Sequence, residues 1–234
     1  MTDTLPDREV VGQRRRPDGT FPSVGSSGGP DEDFPFPQQN EDEPPPPYEP
    51  PFDPCADPAT ALEWNGDAAA AGTAKDFEQR AAARNPPETL NTREWGAALF
   101  EMPDGRVVAG NVTHSAYTFQ NPGPGGRVSV AINWTAPPGG VLIGMAHSHN
   151  AGSHLPSGSS PTSDDQDSLR YIRDVRSQIG LNPDQARIYI VALTTGPADS
   201  PQYAKVSVYN HQNQQAAIAG TEGPEVNPEA QPCP

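Results

Sequence analysis

The sequence predicts a mixed α/β (α+β) domain, residues 58–212, between a disordered proline-rich acidic arm, residues 1–57, and a short flexible tail, residues 213–234. Three observations predict it. Composition breaks near residue 57, since 14 of the chain's 30 prolines lie between Pro6 and Pro58. Beyond the break, short runs of β-branched and aromatic residues alternate with Gly/Pro turn signals, the pattern of strands. Two longer segments carry helical character instead, one alanine-rich and one with apolar residues every three to four positions.

The arm comes first in the chain. With hydrophobic residues at only 33% of the whole sequence, a segment this rich in proline and acid cannot offset the entropy of ordering itself. Its end, "EDEPPPPYEPPFDP" (Glu41–Pro54), is expected to be extended and polyproline-like, a spacer or else a ligand for a partner that binds proline-rich peptides. The formal net charge of −15 argues against nucleic-acid binding, which needs a basic face; the Arg14–Arg16 cluster is too short to supply one. No apolar run is long enough to span a bilayer, so no membrane partner is expected. "MTDTLPDREVVGQRRR" lacks the apolar core of a secretory signal peptide. The expected location is the cytoplasm, or outside it by way of a specialised secretion system that reads no such peptide. Cys55 and Cys233 bracket the domain, and either a disulfide or two free thiols fits them.

The elements follow in order. Alanine and good helix formers run from Pro58, interrupted by Gly66 and Gly72 and stopped by "NPP" at Asn85–Pro87, so one or two helices are expected, chiefly Asp67–Arg84. "EWGAALFEM" (Glu94–Met102), the turn Pro103–Gly105 and "RVVAGNVTH" read as a hairpin. "RVSVAINW" (Arg127–Trp134) alternates like a strand, and "VLIGMA" (Val141–Ala146) is a buried one. Asp164–Ile179 has apolar residues at Leu169, Ile172, Val175 and Ile179 and acids in its first turn, a helix. "ARIYIVAL" and "AKVSVYNH", starting at Ala186 and Ala204, complete the strands.

Chemistry concentrates in "AHSHNAGSHLPSGSSPTSDDQDSLRYI" (Ala146–Ile172), which holds three of the five histidines. His147 and His149 stand two apart at the end of an apolar strand, so both imidazoles point to one face. A carboxylate from the start of the following helix would complete a set of three ligands. Three ligands and one open position make the usual catalytic zinc site, where bound water reaches a pKa of about 7. A carboxylate that does not bind the metal must then carry the proton to the leaving group.

A Glu on an early strand, His-x-His at a strand end, and Thr/Ser-x-x-Asp opening a helix resemble the JAMM motif of JAB/MPN zinc metallopeptidases. "EWGAALFEMPDGRVVAG" resembles that family's first strand, and "PSGSSPTSDDQDSLRYI" is similar to stretches in its bacterial RadC-like branch. The whole also resembles an uncharacterised JAB-like domain found at the carboxyl ends of bacterial Rhs-type polymorphic toxins. The likeness covers roughly residues 68–208. It implies a single JAB/MPN-like domain, a mixed curved sheet flanked by helices with cytidine-deaminase-like layering, and one zinc ion per chain. It implies hydrolysis of a peptide or isopeptide bond in a protein or peptide substrate and, for a toxin domain, an immunity protein as partner. Matched residue by residue, Glu94 is the general acid/base, His147, His149 and Asp165 are the zinc ligands, and Thr162 helps stabilise the oxyanion. The sequence departs from the family pattern in having threonine for serine and a longer loop after His149. That loop leaves Asp164 and Asp167 as rivals of Asp165, and Ser163 as a rival of Thr162.

Plainer readings stand beside these. "PTSDDQD" also reads as a capped helix start, and Glu94 as a charge at a strand edge. Glu101, His154, His114 and His211 are read as structural, and Trp95, Trp134, Tyr189 and Tyr209 as core or core-edge aromatics. Two other functions compete with the peptidase: a catalytically silent JAB-like binding module, and a metal-dependent toxin nuclease. A zinc deaminase is excluded because Pro-Cys-x-x-Cys is missing.

Overall fold

The computed structural model describes residues 9–11, 53–157, 164–195 and 203–234. The unit Pro54–Pro234, with the amino-terminal strand, holds nearly all of them; of a second unit, Arg15–Asp53, only Asp53 is described. The order is β1 (Glu9–Val11), α1 (Pro58–Ala82), β2 (Trp95–Glu101), β3 (Val107–Ala109), β4 (Thr113–His114), β5 (Ser129–Ala131), β6 (Val141–Ser148), α2 (Asp164–Gln178), β7 (Arg187–Leu193), β8 (Ala204–Tyr209) and α3 (Gln214–Ile218). The fold is mixed α+β. Its main sheet runs β3-β2-β6-β7-β8, with β4 also on β2. β6 and β7 pair in parallel, joined through α2, and the other pairings are antiparallel. A parallel pair needs such a crossover.

Each face of the sheet carries one long helix. On one face Leu62, Ala70, Ala74 and Phe77 of α1 join Leu99, Ile143, Tyr189 and Val191 in a buried cluster. On the other, Leu169 and Ile172 of α2 join Ala98, Met145, Ile188 and Ile190. Burying a side chain such as Phe77 or Ile172 contributes about 1.5–3 kcal/mol. Because side chains alternate along β6, His147 continues the row of Met145 on the α2 face.

Several elements differ from the sequence expectation. Helix α1 is continuous and begins nine residues before Asp67. The Asp57 carboxylate caps it by accepting the Thr60 N–H at 2.9 Å, and Pro58 stands at its first turn. Gly66 belongs inside it, since a Cβ there would meet the Tyr189 hydroxyl at 2.7 Å. Close packing on the sheet outweighs the roughly 1 kcal/mol of helix propensity a glycine loses. The returning hairpin strand divides into β3 and β4, and "RVSVAINW" contributes only β5, which pairs with β1 rather than with the main sheet. Ile179 lies beyond α2 and is exposed, whereas Arg176 is fully buried. The Arg176 guanidinium donates to Glu101 at 2.8 Å, to Gln185 at 2.8 Å and to the Asn182 carbonyl at 3.0 Å.

The ordered part also continues past residue 212, where a flexible tail was expected. The Val208 N–H donates to the Pro224 carbonyl and the Val226 N–H to the Val206 carbonyl, so residues 224–226 line the open edge of β8. Cys233 is disulfide-bonded to Cys55. Main-chain hydrogen bonds and a covalent link hold this polar segment, and neither depends on the hydrophobic periodicity that a sequence displays. Among the described residues no helix is long and apolar enough to cross a membrane.

Candidate metal centre

The centre forms at the carboxyl ends of the parallel pair β6 and β7, where α2 begins. Crossover topology commonly opens a ligand site there. β6 delivers His147 in register with Ile190, and the His149 N–H extends the pairing by donating to the Val191 carbonyl at 2.8 Å. The first turn of α2 brings Asp165 to the same point. His147 Nε2 lies 3.0 Å from His149 Nε2 and 3.2 Å from Asp165 Oδ1, and His149 Nε2 lies 3.7 Å from Asp165 Oδ2. All three residues are buried, and one ligand atom from each lies within 4.8 Å of the others. This group could hold a metal ion.

Neighbours orient the donors. His149 Nδ1 is 3.1 Å from the Ser153 carbonyl, which suits a donated N–H and leaves Nε2 for a metal. The Ser157 N–H donates to Asp165 Oδ2. Burial, and then the adjacent His147, push the His149 imidazole down to about 4. His149 is therefore neutral at physiological pH, the form a metal requires. Burial acts to raise Asp165, but His147, His149 and the Ser157 N–H together hold it below the usual carboxylate range.

Glu94 is fully buried just before β2. Gly96 pairs with His147, and the Trp95 N–H donates to Ser148 Oγ at 2.9 Å. Two residues before Gly96, Glu94 falls by strand alternation on the sheet face that bears His147. Gly96 lets β5 and the residue after it pack close to that face: a Cβ there would lie 2.8 Å from Ile132 Cγ1 and 3.0 Å from Val130 Cγ1.

The sequence candidates separate as follows. Glu94, His147, His149 and Asp165 are all described, and the last three converge. Asp167 points away and pairs with Arg170. Thr162 and Ser163 lie outside the described residues, as does the side chain of Asp164. His154 is buried, and its carbonyl accepts the Tyr209 hydroxyl at 2.6 Å. His114 lies 2.8 Å from an Arg84 nitrogen. Sequence reasoning passed over Ser148, Ser153, Ser157 and Ser115, which hold main chain or donors around the centre. Only Ser148, between the two histidines, carried a local signal.

A scan against protein-family models and a search of curated proteins found no match to the chain.

Proposed function

We propose that the chain is a zinc-dependent metallopeptidase or isopeptidase of JAB/MPN type, acting on a protein or peptide substrate, with a bacterial toxin or effector role. The observation that carries the reading is the buried convergence of His147, His149 and Asp165. Zinc takes imidazole nitrogen at 2.0–2.1 Å in tetrahedral geometry, which sets its donors about 3.3 Å apart. The two imidazole nitrogens at 3.0 Å, and His147 Nε2 and Asp165 Oδ1 at 3.2 Å, lie near that value. Three protein donors among the described residues also match the count of an open catalytic site rather than a closed structural one with four. When bound, zinc supplies Lewis acidity, polarising a carbonyl and making water nucleophilic near neutral pH. In this reading Glu94 takes a proton from the attacking water and returns it to the leaving amine. Thr162 or Ser163 would donate to the developing oxyanion.

The competing reading is a binding module, favoured by the complete burial of Glu94. Elemental analysis together with hydrolysis of a panel of peptide and isopeptide substrates separates the two. Wild type should hold about one zinc per chain and cleave at least one substrate class. Glu94→Gln should keep the zinc and lose about 10²–10⁴-fold in rate. Zinc without turnover across the panel would favour the binding module, and failure to hold zinc would sink the peptidase reading.

A further inference from the structure

Glu94 can serve in proton transfer only if its main chain is held relative to the metal donors, because a misplacement of about 1 Å can cost 10²-fold in rate. Toward β4 the main chain here stays in the ladder, with Trp95 paired to His114, but toward β6 it is tied through a side chain instead. The regular pairing of β2 with β6 ends at Gly96 and His147, so Glu94 and Trp95 lie beyond it. On one side, the Glu94 N–H donates to Ser115 Oγ at 3.2 Å, and its carbonyl accepts the Ser115 N–H at 2.8 Å. The Ser115 hydroxyl in turn donates to the Tyr117 carbonyl at 2.7 Å. Arg93 Nη1 donates to the Ser115 carbonyl at 3.0 Å and pairs with Glu88 through two nitrogens. On the other side, the Trp95 N–H donates to Ser148 Oγ at 2.9 Å. Ser148 and Ser115 are both buried, so water cannot replace a lost hydroxyl.

We propose that Ser148, with Ser115, is a positioning residue that fixes Glu94 against the His147–His149–Asp165 cluster. Ser148 lies between the two histidines, so one hydrogen bond ties the strand that carries the metal donors to the residue next to Glu94. An alanine at 148 would keep the strand and both imidazoles but leave the buried Trp95 N–H unpaired and loosen the hold on Glu94 from the β6 side.

The inference rests on the proton-transfer reading of Glu94, and the test separates the two. Protein loaded with Co²⁺ alone is followed by visible absorption from acid to alkaline pH, with Co²⁺ content and thermal midpoint measured in parallel. Wild type should show a pH-dependent spectral transition that Glu94→Gln displaces. Ser148→Ala and Ser115→Ala should bind Co²⁺ stoichiometrically and displace the midpoint in the same direction, by at least half as much. Ser148→Thr, which restores the hydroxyl, should return it to the wild-type position. If both alanine variants lower thermal stability but keep the wild-type transition, Ser148 and Ser115 are merely structural, and the inference fails while the Glu94 reading stands. If Ser148→Ala does not fold, Ser115→Ala decides by the same criterion. If the wild type shows no transition, or Glu94→Gln leaves it in place, the Glu94 reading falls and the inference with it.

Discussion

Asp165→Asn should abolish the stabilisation of this protein by zinc while leaving the metal-free fold nearly intact. The substitution keeps the shape of the side chain and an oxygen able to accept the Ser157 N–H, but removes the negative charge set between His147 and His149. Exchanging a charged acceptor for a neutral one costs about 1 kcal/mol, so the metal-free variant should stay folded. The effect on metal is larger. Zinc at a hundredfold excess over its dissociation constant stabilises the folded state by about 2.7 kcal/mol. For the unit spanning Pro54–Pro234, that raises the thermal midpoint by about 5–11 °C, at about 2–4 °C per kcal/mol for this size. A site weakened a thousandfold keeps less than about 0.1 kcal/mol at the same free zinc. Differential scanning calorimetry with and without zinc, on wild type and Asp165→Asn, measures both quantities. An equal zinc-induced shift in the two proteins would remove Asp165 from the ligand set. No shift in either would refute the metal centre.

Glu101→Ala should destabilise the domain by about 2–4 kcal/mol in urea unfolding, because it strips the partner from the fully buried Arg176; a cost below about 0.5 kcal/mol would show that Gln185 and the Asn182 carbonyl suffice alone. Asp67, beside Tyr189, has its carboxyl pushed up to about 6, chiefly by burial. Its folded pKa therefore exceeds the unfolded value, and its contribution is fully present below about pH 4 and lost as pH rises through about 6. Asp67→Asn should flatten the fall in stability between those values, and an unchanged pH profile would count against the shift. Cys233→Ser should cost about 2–5 kcal/mol, since the bond closes a loop with a sequence separation of 178; equal unfolding midpoints of wild type with and without reductant would refute a structural role.

Local pattern accounts for what could be read early. The apolar run Val141–Ala146 ends in His-x-His, and a period of two places both imidazoles on one face whatever the rest of the chain does. The acids at the start of α2 mark a helix amino terminus through the dipole alone. Which acid turns inward is different. Residues two apart on a helix point in nearly opposite directions, so Asp165 faces the histidines while Asp167 faces Arg170. Spacing places Asp165, four residues before Leu169 and seven before Ile172, on the apolar stripe's own face, but only the fold seats that face on the sheet beside β6.

The sequence by itself determined the helix and strand periods, the position of the histidine pair at a strand end, and the acidic start of the next helix. Tertiary structure alone decided that α1 runs through Gly66, that Arg176 is buried, and that residues 224–226 bind the edge of β8. It also decided that Glu94 and Ser148, far apart in the chain, meet through the Trp95 main chain. The physical reason is the range of the forces involved. Side-chain periodicity is written in neighbouring residues, whereas hydrogen bonds and packing between distant segments depend on the path of the whole chain, and polar residues such as serine carry no period that foretells their partner.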